Sequence, residues 1–323
     1  MTTDERRGPV IAVIGANETA PNVPSGVRSA PDLRALGAEL PIVEIVFTWS
    51  QRDQIQAGFS DASRLRWIQT AFAGVDGLLF PALVHSDVVV TNARGVYDIA
   101  MAEATIGFVL ALSLGLRADD RRGWGVRDHL PRKLLAGSNM LVVGAGSAGG
   151  AVGRAAKALG ICVVGVGRHG RPGDASFDRV APISELAELL GDADMVVDVL
   201  PLTPETHHLF GRTAFEAMQE SALFINVGRG LTVDEAALIR ALRMGEIAGA
   251  ALDVFEVEPL PPTSPLWKME HVIVSPHVSG NTEGWQQAVV QLFEKNLMRY
   301  RLAEPLLNIV DKRLGYVPSE IAD

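Results

Sequence analysis

Leu141-Val-Val-Gly-Ala-Gly-Ser-Ala-Gly-Gly150 reads as the end of a buried strand that runs into a glycine-rich turn and opens a helix. The strand, Asn139 to Val143, is apolar at nearly every position, as a parallel strand covered on both faces should be. The turn has the spacing Gly144-x-Gly146-x-x-Gly149. The helix from Ser147 to Leu159 stops at Gly160, a residue suited to a left-handed cap. The three glycines would serve a tight turn, a close backbone approach to a pyrophosphate, and tight helix-on-strand packing. The helix N-terminus would offer N–H groups and a positive dipole end to the phosphates. The motif alone is weak, but the strand before it and the helix after it supply the context it needs. It predicts a dinucleotide site at Gly144, Gly146, Ser147, Ala148 and Gly149.

At 323 residues, 48% of them apolar, the chain is long enough for two compact domains with their own cores. A net charge of -9 argues against a nucleic acid or an anionic membrane as partner. The single cysteine, Cys162, lies in an apolar run and is expected in the core, neither a disulfide nor a nucleophile. No metal is called for. The start, Met1-Thr-Thr-Asp-Glu-Arg-Arg7, has no apolar signal-peptide core behind it. Ile99 to Leu116 is almost wholly apolar, yet it holds Glu103, Thr105 and Ser113 inside an α/β pattern. It reads as a buried helix at a domain or subunit interface, not a membrane span. The expectation is a soluble, cytoplasmic protein.

Outward from the glycine turn the rhythm is β-α-β on both sides. Val10–Gly15, Val43–Phe47, Trp67–Thr70 and Val88–Thr91 predict strands, with Pro31–Gly37 and Arg52–Phe59 as helices or turns between them. Gly15-Ala-Asn17 lacks the further glycines of a second nucleotide site. A long helix starts near Asp98, a plausible N-cap, and a charged patch, Arg117 to Arg127, follows it. The domain boundary is placed near Val96. Beyond the turn, strands are predicted at Ile161–Val166, Met195–Leu200, Leu223–Val227, Ala248–Val254 and Val272–Ser275. Helices are predicted at Ile183–Leu190, at Asp234–Met244 capped by Asp234 and ended by Gly245, and at Trp285–Leu302. Pro305 to Tyr316 is a loop-rich tail.

In an open parallel sheet, ligands sit outside the carboxyl ends of the strands. The unusual residues of the larger half fall there: Pro201 and Thr206 after one strand, then Val227, Gly228 and Arg229 after the next. Asp253 closes another, with Glu256 and Glu258 behind it, and Ser275-Pro-His277-Val-Ser-Gly280 follows the last. Arginine, carboxylate and histidine on one edge beside a nucleotide turn suit hydride transfer at a carbon bearing oxygen. Histidine suits the proton, its ordinary pKa being about 6.5, and a carboxylate beside it favours the proton-donating imidazolium. A planar guanidinium matches a keto acid's carboxylate.

At these residues the chain resembles the D-isomer-specific 2-hydroxyacid dehydrogenase family, closely from about Ala71 to Tyr316. The likeness rests on the turn at Gly144–Gly149, on Phe224-Ile-Asn-Val-Gly-Arg229-Gly-Leu-Thr-Val-Asp-Glu235, and on Leu252-Asp-Val-Phe-Glu-Val-Glu258-Pro followed by Ser275-Pro-His277. The resemblance implies an α/β chain with a doubly wound Rossmann dinucleotide-binding domain, residues 97–295. A smaller flavodoxin-like substrate domain would comprise residues 1–96 and 296–323. It implies that Arg229 binds and polarises the keto acid, His277 is the acid/base, and Glu258 tunes His277, with Glu256 a solvated neighbour. Backbone N–H groups of Ala73 and Gly74, in Ala71-Phe-Ala-Gly-Val-Asp76, would hold the substrate carboxylate. Trp49 and Tyr97 would line the pocket or pack in the core. Pro201, Thr206, Val227, Gly228, Arg229, Asp253, His277 and Gly280 would also face the cofactor, and the long helix would pack a homodimer.

Two positions depart from the family pattern. Ala148 replaces a branched aliphatic, a small packing change. At the end of the second strand, where NAD-binding relatives carry an acidic residue, this chain has Val166-Gly-Arg168-His-Gly-Arg171. No carboxylate repels a 2′-phosphate there and two arginines can bind one, so NADP(H) is preferred, with NAD(H) possible. The leading expectation is an NADPH-dependent reductase of glyoxylate or hydroxypyruvate. The alternatives are an NAD-dependent dehydrogenase of a hydroxyacid such as phosphoglycerate, weighed down by the lack of a regulatory domain after Asp323, and a non-catalytic nucleotide-sensing protein like the family's corepressor branch.

Overall fold

The computed structural model describes residues 8–15, 27–50, 52–116 and 134–318. The chain divides into two compact units: one runs to Tyr97 and resumes at Glu283, and the other is Asp98–Thr282.

The first unit is built on a five-stranded parallel sheet of β1 (Ile11–Ile14), β2 (Arg28–Ala30), β3 (Ile45–Thr48), β4 (Trp67–Thr70) and β5 (Val89–Thr91). Their order, β2-β1-β3-β4-β5, is the flavodoxin-like one, reversing at β1. β1, β3 and β4 are buried at every position, which explains their unbroken apolar runs. The short edge strand β2 is absent from the sequence reading, because three residues, Arg28-Ser-Ala30, carry no period. Two short helices follow, α1 (Arg52–Gln56) and α2 (Pro81–Val84). The segment expected as a helix or turn at Pro31–Gly37 runs into a 3-10 stretch, Arg34–Ile42, broken where Gly37 takes φ 55 and containing Pro41. Both residues interrupt an α-helical ladder.

The helix Trp285–Arg301 packs on one face of this sheet. Val289, Val290, Phe293 and Leu297 are buried with Ile11, Val13, Ile45, Phe47 and Trp67, and the Phe293 ring stacks on Phe47 at 4.6 Å. The chain therefore returns to this unit at Glu283, ahead of the expected residue 296: the apolar stripe from Val289 belongs to this core. Asn296 then ties the tail down, donating to Gln69 Oε1 at 3.0 Å and accepting from Leu307 N at 2.7 Å.

The second unit holds an eight-stranded sheet in the order β13-β12-β11-β10-β6-β7-β9-β8. Its strands are β6 (Asn139–Val143), β7 (Cys162–Gly167), β8 (Arg171–Pro172), β9 (Arg179–Pro182), β10 (Met195–Asp198), β11 (Leu223–Asn226), β12 (Gly249–Leu252) and β13 (Val272–Val274). All pairs are parallel except β8 with β9. The helices are α3 (Asp98–Leu114), α4 (Ser147–Ala158), α5 (Leu186–Leu190), α6 (Arg212–Glu216) and α7 (Glu235–Met244). Alternate strand residues feed two cores. Leu141, Val143, Val196 and Phe224 pack with Phe210, Phe215 and Leu238, while Met140, Val142, Val197 and Ile225 pack with Val109, Val152 and Ala156. That is a doubly wound sheet, and its direction reverses between β6 and β10.

Asp234 caps α7, accepting from Ala237 N at 3.0 Å, and Gly245 ends it at φ 71. Asp98 is the first residue of α3, and its carboxylate accepts from the Ser147 hydroxyl instead of serving as the expected N-cap. Cys162, expected in the core, is exposed, because it begins β7 before the strand enters the packed layer. β8, β9 and α6 are too short or too polar to show in the sequence pattern. Asn17 and the charged patch Arg117 to Arg127 lie outside the described residues. Among the described residues no helix is long and apolar enough to cross a membrane.

Candidate active site

The glycine turn sits at the reversal point. Gly144 leaves β6 at φ +115, and a Cβ there would lie 2.7 Å from the Val199 carbonyl oxygen at the end of β10. At Gly149 a Cβ would lie 2.0 Å from the Gly144 carbonyl, so only glycine lets α4 rest on the turn. Gly146 differs: a Cβ would meet nothing within 4 Å. It precedes α4 with no side-chain cap on the helix N-terminus. An open approach over a small residue, ahead of uncapped N–H groups, fits a pyrophosphate. Gly149→Ala is expected to displace α4, costing about 1–3 kcal/mol in denaturant unfolding together with loss of nucleotide binding by fluorescence titration.

β7 ends at Gly167, and the residue that follows it is Arg168, not an acidic one. Arg168 is exposed there. Arg171 is committed elsewhere: it pairs with Asp174 at 2.6 Å and lies 5.8 Å from the centre of the Phe177 ring. That contact, with the Ser176 and Phe177 N–H groups, holds the Asp174 carboxyl down at about 2. The sequence reading pairs Arg171 with Arg168; here Arg171 is engaged by Asp174, and Arg168 lies close enough to Glu205 to help lower its carboxyl.

After β10, the Thr206 hydroxyl donates to Pro201 O at 2.7 Å and accepts from Thr203 N at 2.8 Å, so it shapes its own loop. After β11, Asn226 Oδ1 accepts from Gly228 N at 3.0 Å and its Nδ2 donates to Arg229 O at 3.1 Å. A Cβ on Gly228 would stand 2.8 Å from both Leu200 N and O, and one on Gly230 only 1.8 Å from Phe255 O. Arg229 is thus carried by a turn pressed against its neighbours on both sides. Val227 is buried beside it.

After β12, Asp253 is buried and accepts three hydrogen bonds, from Ser275 Oγ at 2.6 Å, Val278 N at 2.9 Å and Ser279 N at 2.9 Å. Its carbonyl accepts from His277 N at 2.8 Å. Asp253 therefore builds the loop that presents His277, whose φ of 54 needs such support. The His277 ring meets Glu258 across 2.7 Å, Nδ1 to Oε2, and Glu258 Oε1 accepts from Phe255 N at 3.0 Å. A carboxylate can only accept here, so Nδ1 carries a proton and Nε2 is the ring nitrogen that Glu258 does not engage. Glu256 turns the other way, to His208 Nε2 at 3.1 Å. Arg229 and His277 stand at the carboxyl edge of one sheet, after β11 and β13.

The remaining candidates belong to the first unit, at the carboxyl end of its sheet. Ala73 and Gly74 follow β4, and Ala73 O accepts from Asn92 Nδ2 at 2.6 Å. Tyr97 donates its hydroxyl to Ala71 O at 2.7 Å, and burial pushes that phenol up. Trp49 packs edge-on against Trp285 at 5.8 Å. Sequence reasoning gave no role to Asn92, Asn226, Thr232 or Asp198, although Asn226 and Thr232 lie in the stretch Phe224–Glu235 and Asp198 is a charge closing the apolar run Met195-Val-Val.

Residues 109–279 match the family described as D-isomer specific 2-hydroxyacid dehydrogenase, NAD binding domain. A D-3-phosphoglycerate dehydrogenase from Methanocaldococcus jannaschii is 35% identical over 263 residues, 79% of this chain but only 50% of its own length. A glyoxylate reductase from Aeropyrum pernix is 32% identical over 265 residues, 79% of each chain. Among solved structures, the NADPH-dependent glyoxylate/hydroxypyruvate reductase from Sinorhizobium meliloti, in complex with NADP and sulfate, superposes with a TM-score of 0.82. It is 27% identical and matches 96% of this chain and 100% of its own.

Proposed function

Since this chain belongs to the D-isomer specific 2-hydroxyacid dehydrogenase family of NAD(P)-dependent oxidoreductases, we propose that it is an NADPH-dependent reductase of small 2-ketoacids. Glyoxylate and hydroxypyruvate are its substrate type. The observation that carries the reading is the 2.7 Å His277–Glu258 pair on the sheet edge that also bears Arg229. A nicotinamide, when bound, supplies the hydride. Arg229 binds the keto acid's carboxylate as a planar fork and draws electron density from the carbonyl beside it. The reading also assigns the backbone N–H groups of Ala73 and Gly74 to that carboxylate. Glu258 fixes the imidazole through Nδ1, and Nε2 gives its proton to the carbonyl oxygen as the alkoxide develops. Arg168 takes the adenosine 2′-phosphate, supported by its place directly after β7, where no acidic residue follows the strand in sequence, and by relatives solved with NADP or NADPH.

The test is NADPH consumption with glyoxylate, hydroxypyruvate, pyruvate and a bulky phenyl keto acid, repeated with NADH. Turnover favouring NADPH and the small ketoacids is expected. Turnover confined to NAD and 3-phosphoglycerate would overturn the substrate assignment. Arg168→Asp is expected to raise the KM for NADPH roughly 10- to 100-fold, the loss of one charged hydrogen bond, and the KM for NADH little. An equal effect on both would remove Arg168 from the 2′-phosphate.

A further inference from the structure

Asp198 closes β10 fully buried, in register with Val143 of β6 and Asn226 of β11. Its Oδ1 accepts from Leu200 N at 3.0 Å, and its Oδ2 meets the Thr232 hydroxyl at short range. The same hydroxyl lies 2.5 Å from the Arg229 carbonyl oxygen. A threonine hydroxyl has one proton to give. Were Asp198 ionised, both oxygens facing Thr232 could only accept, and one of the two close contacts would lack a proton. With a proton on Oδ2 the chain closes: Asp198 donates to Thr232, and Thr232 donates to Arg229.

We propose that Asp198 carries a proton on Oδ2 and is the positioning residue of Arg229, holding its turn in place through Thr232. The role of Arg229 in this rests on the function proposed above; the proton does not. Burial is what retains it, pushing the carboxyl up to about 7 against the opposing pull of Thr232, Leu200 N and the Arg229 charge. Arg229 is the charged group that bears on it. Val143 and Asn226, beside it in the sheet, do not titrate. On the loop after β10, Glu205, His207 and His208 are exposed, and His208 is paired with Glu256 at 3.1 Å. On α7, Glu235 N donates to that same Glu256 carboxylate at 3.0 Å.

Loss of the proton has a definite consequence. The carboxylate takes the Thr232 hydrogen, and the Arg229 carbonyl keeps only Asn226 Nδ2 at 3.1 Å and Thr232 N at 3.2 Å. The turn loosens and ketoacid binding weakens as pH rises through about 7. Asp198→Asn places a permanent donor where the proton sat.

Two measurements on the full chain test this. First, the glyoxylate KM of the wild type should rise roughly fivefold from mildly acidic to mildly alkaline pH, the loss of about one hydrogen bond. Asp198→Ala should raise KM at every pH, and Asp198→Asn should restore it with a flat profile. Thr232→Val, which keeps the shape and breaks the relay, should show a raised, flat KM and serves if the Asn variant does not fold. A wild-type profile as flat as that of Asp198→Asn would overturn the positioning role.

Second, denaturant midpoints of the wild type and Asp198→Asn should be compared across pH. A folded-state value of about 7 above the ordinary 3.8 means stabilisation complete below 3.8 and lost as pH rises through about 7. The wild type should therefore fall behind the Asn variant over that window. A constant difference, or one in the opposite sense, would show Asp198 to be an anion. This readout needs no turnover, so failure to reduce any ketoacid would sink the proposed function and leave the proton still decided.

Discussion

His277→Ala is expected to lower ketoacid turnover by roughly 100- to 10,000-fold, the span that a positioned general acid contributes. NADPH binding should largely survive, because the proposed phosphate cradle lies at Gly144, Gly146 and the start of α4, and the neighbours a Cβ at Gly144 would meet are Val199 and Leu200, not His277. The geometry distinguishes the two nitrogens. Nδ1 is taken by Glu258 at 2.7 Å, so the proton at stake is on Nε2. Glu258→Gln keeps a side chain of the same shape but removes an acceptor that holds the ring, so its effect should fall between those of wild type and His277→Ala. The check is single-turnover reduction at saturating NADPH, with nucleotide affinity measured separately. Turnover persisting in His277→Ala would mean that another group donates the proton.

Arg229→Gln is expected to cost about 100- to 1,000-fold in kcat/KM for glyoxylate, the loss found when one preorganised electrostatic partner of a developing charge is removed. Arg229→Lys should recover only part of it, because an ammonium keeps the charge and loses the planar fork. Initial-rate kinetics with glyoxylate, beside NADPH affinity, separates this from collapse of the nucleotide site. The backbone of the turn around Arg229 is held by Asn226 and Thr232, and exchanging the side chain removes its own bond to Gly228 O at 2.8 Å. Because the Arg229 charge pulls the Asp198 carboxyl down, its removal should also move the Asp198 titration upward. A wild-type kcat/KM in Arg229→Gln would mean that the ketoacid is held by other groups.

Much of the frame was legible because buried parallel strands leave continuous apolar runs. β6 matches its expected limits, Asn139 to Val143, and β4 its Trp67 to Thr70. α7 was legible from its cap, Asp234, and its stop, Gly245. β8 and β9 were not, since Arg171–Pro172 is a two-residue exposed edge strand and Arg179–Pro182, between it and β7, buries only Val180 and Ala181, too short a run to show a period. Arg171 shows the limit most clearly. Its spacing from Arg168 suggested two arginines for one phosphate, but Asp174, three residues on, captures it. No local rule on the page of sequence decides between a phosphate and a neighbour's carboxylate.

By itself the sequence determined the α/β class, the glycine turn at the head of α4, and the family to which Arg229, Glu258 and His277 point. These features are local or periodic: a glycine spacing, a strand's unbroken apolar run, a cap at a helix start. Tertiary structure decided the rest. It set which unit the helix Trp285–Arg301 completes, that Asp253 ties down the loop of His277, and that Asp198 and Thr232 stand behind Arg229. Those contacts join residues far apart in the chain, and buried polar groups must find partners wherever the packed strands bring them. A partner chosen by packing has no fixed spacing to read.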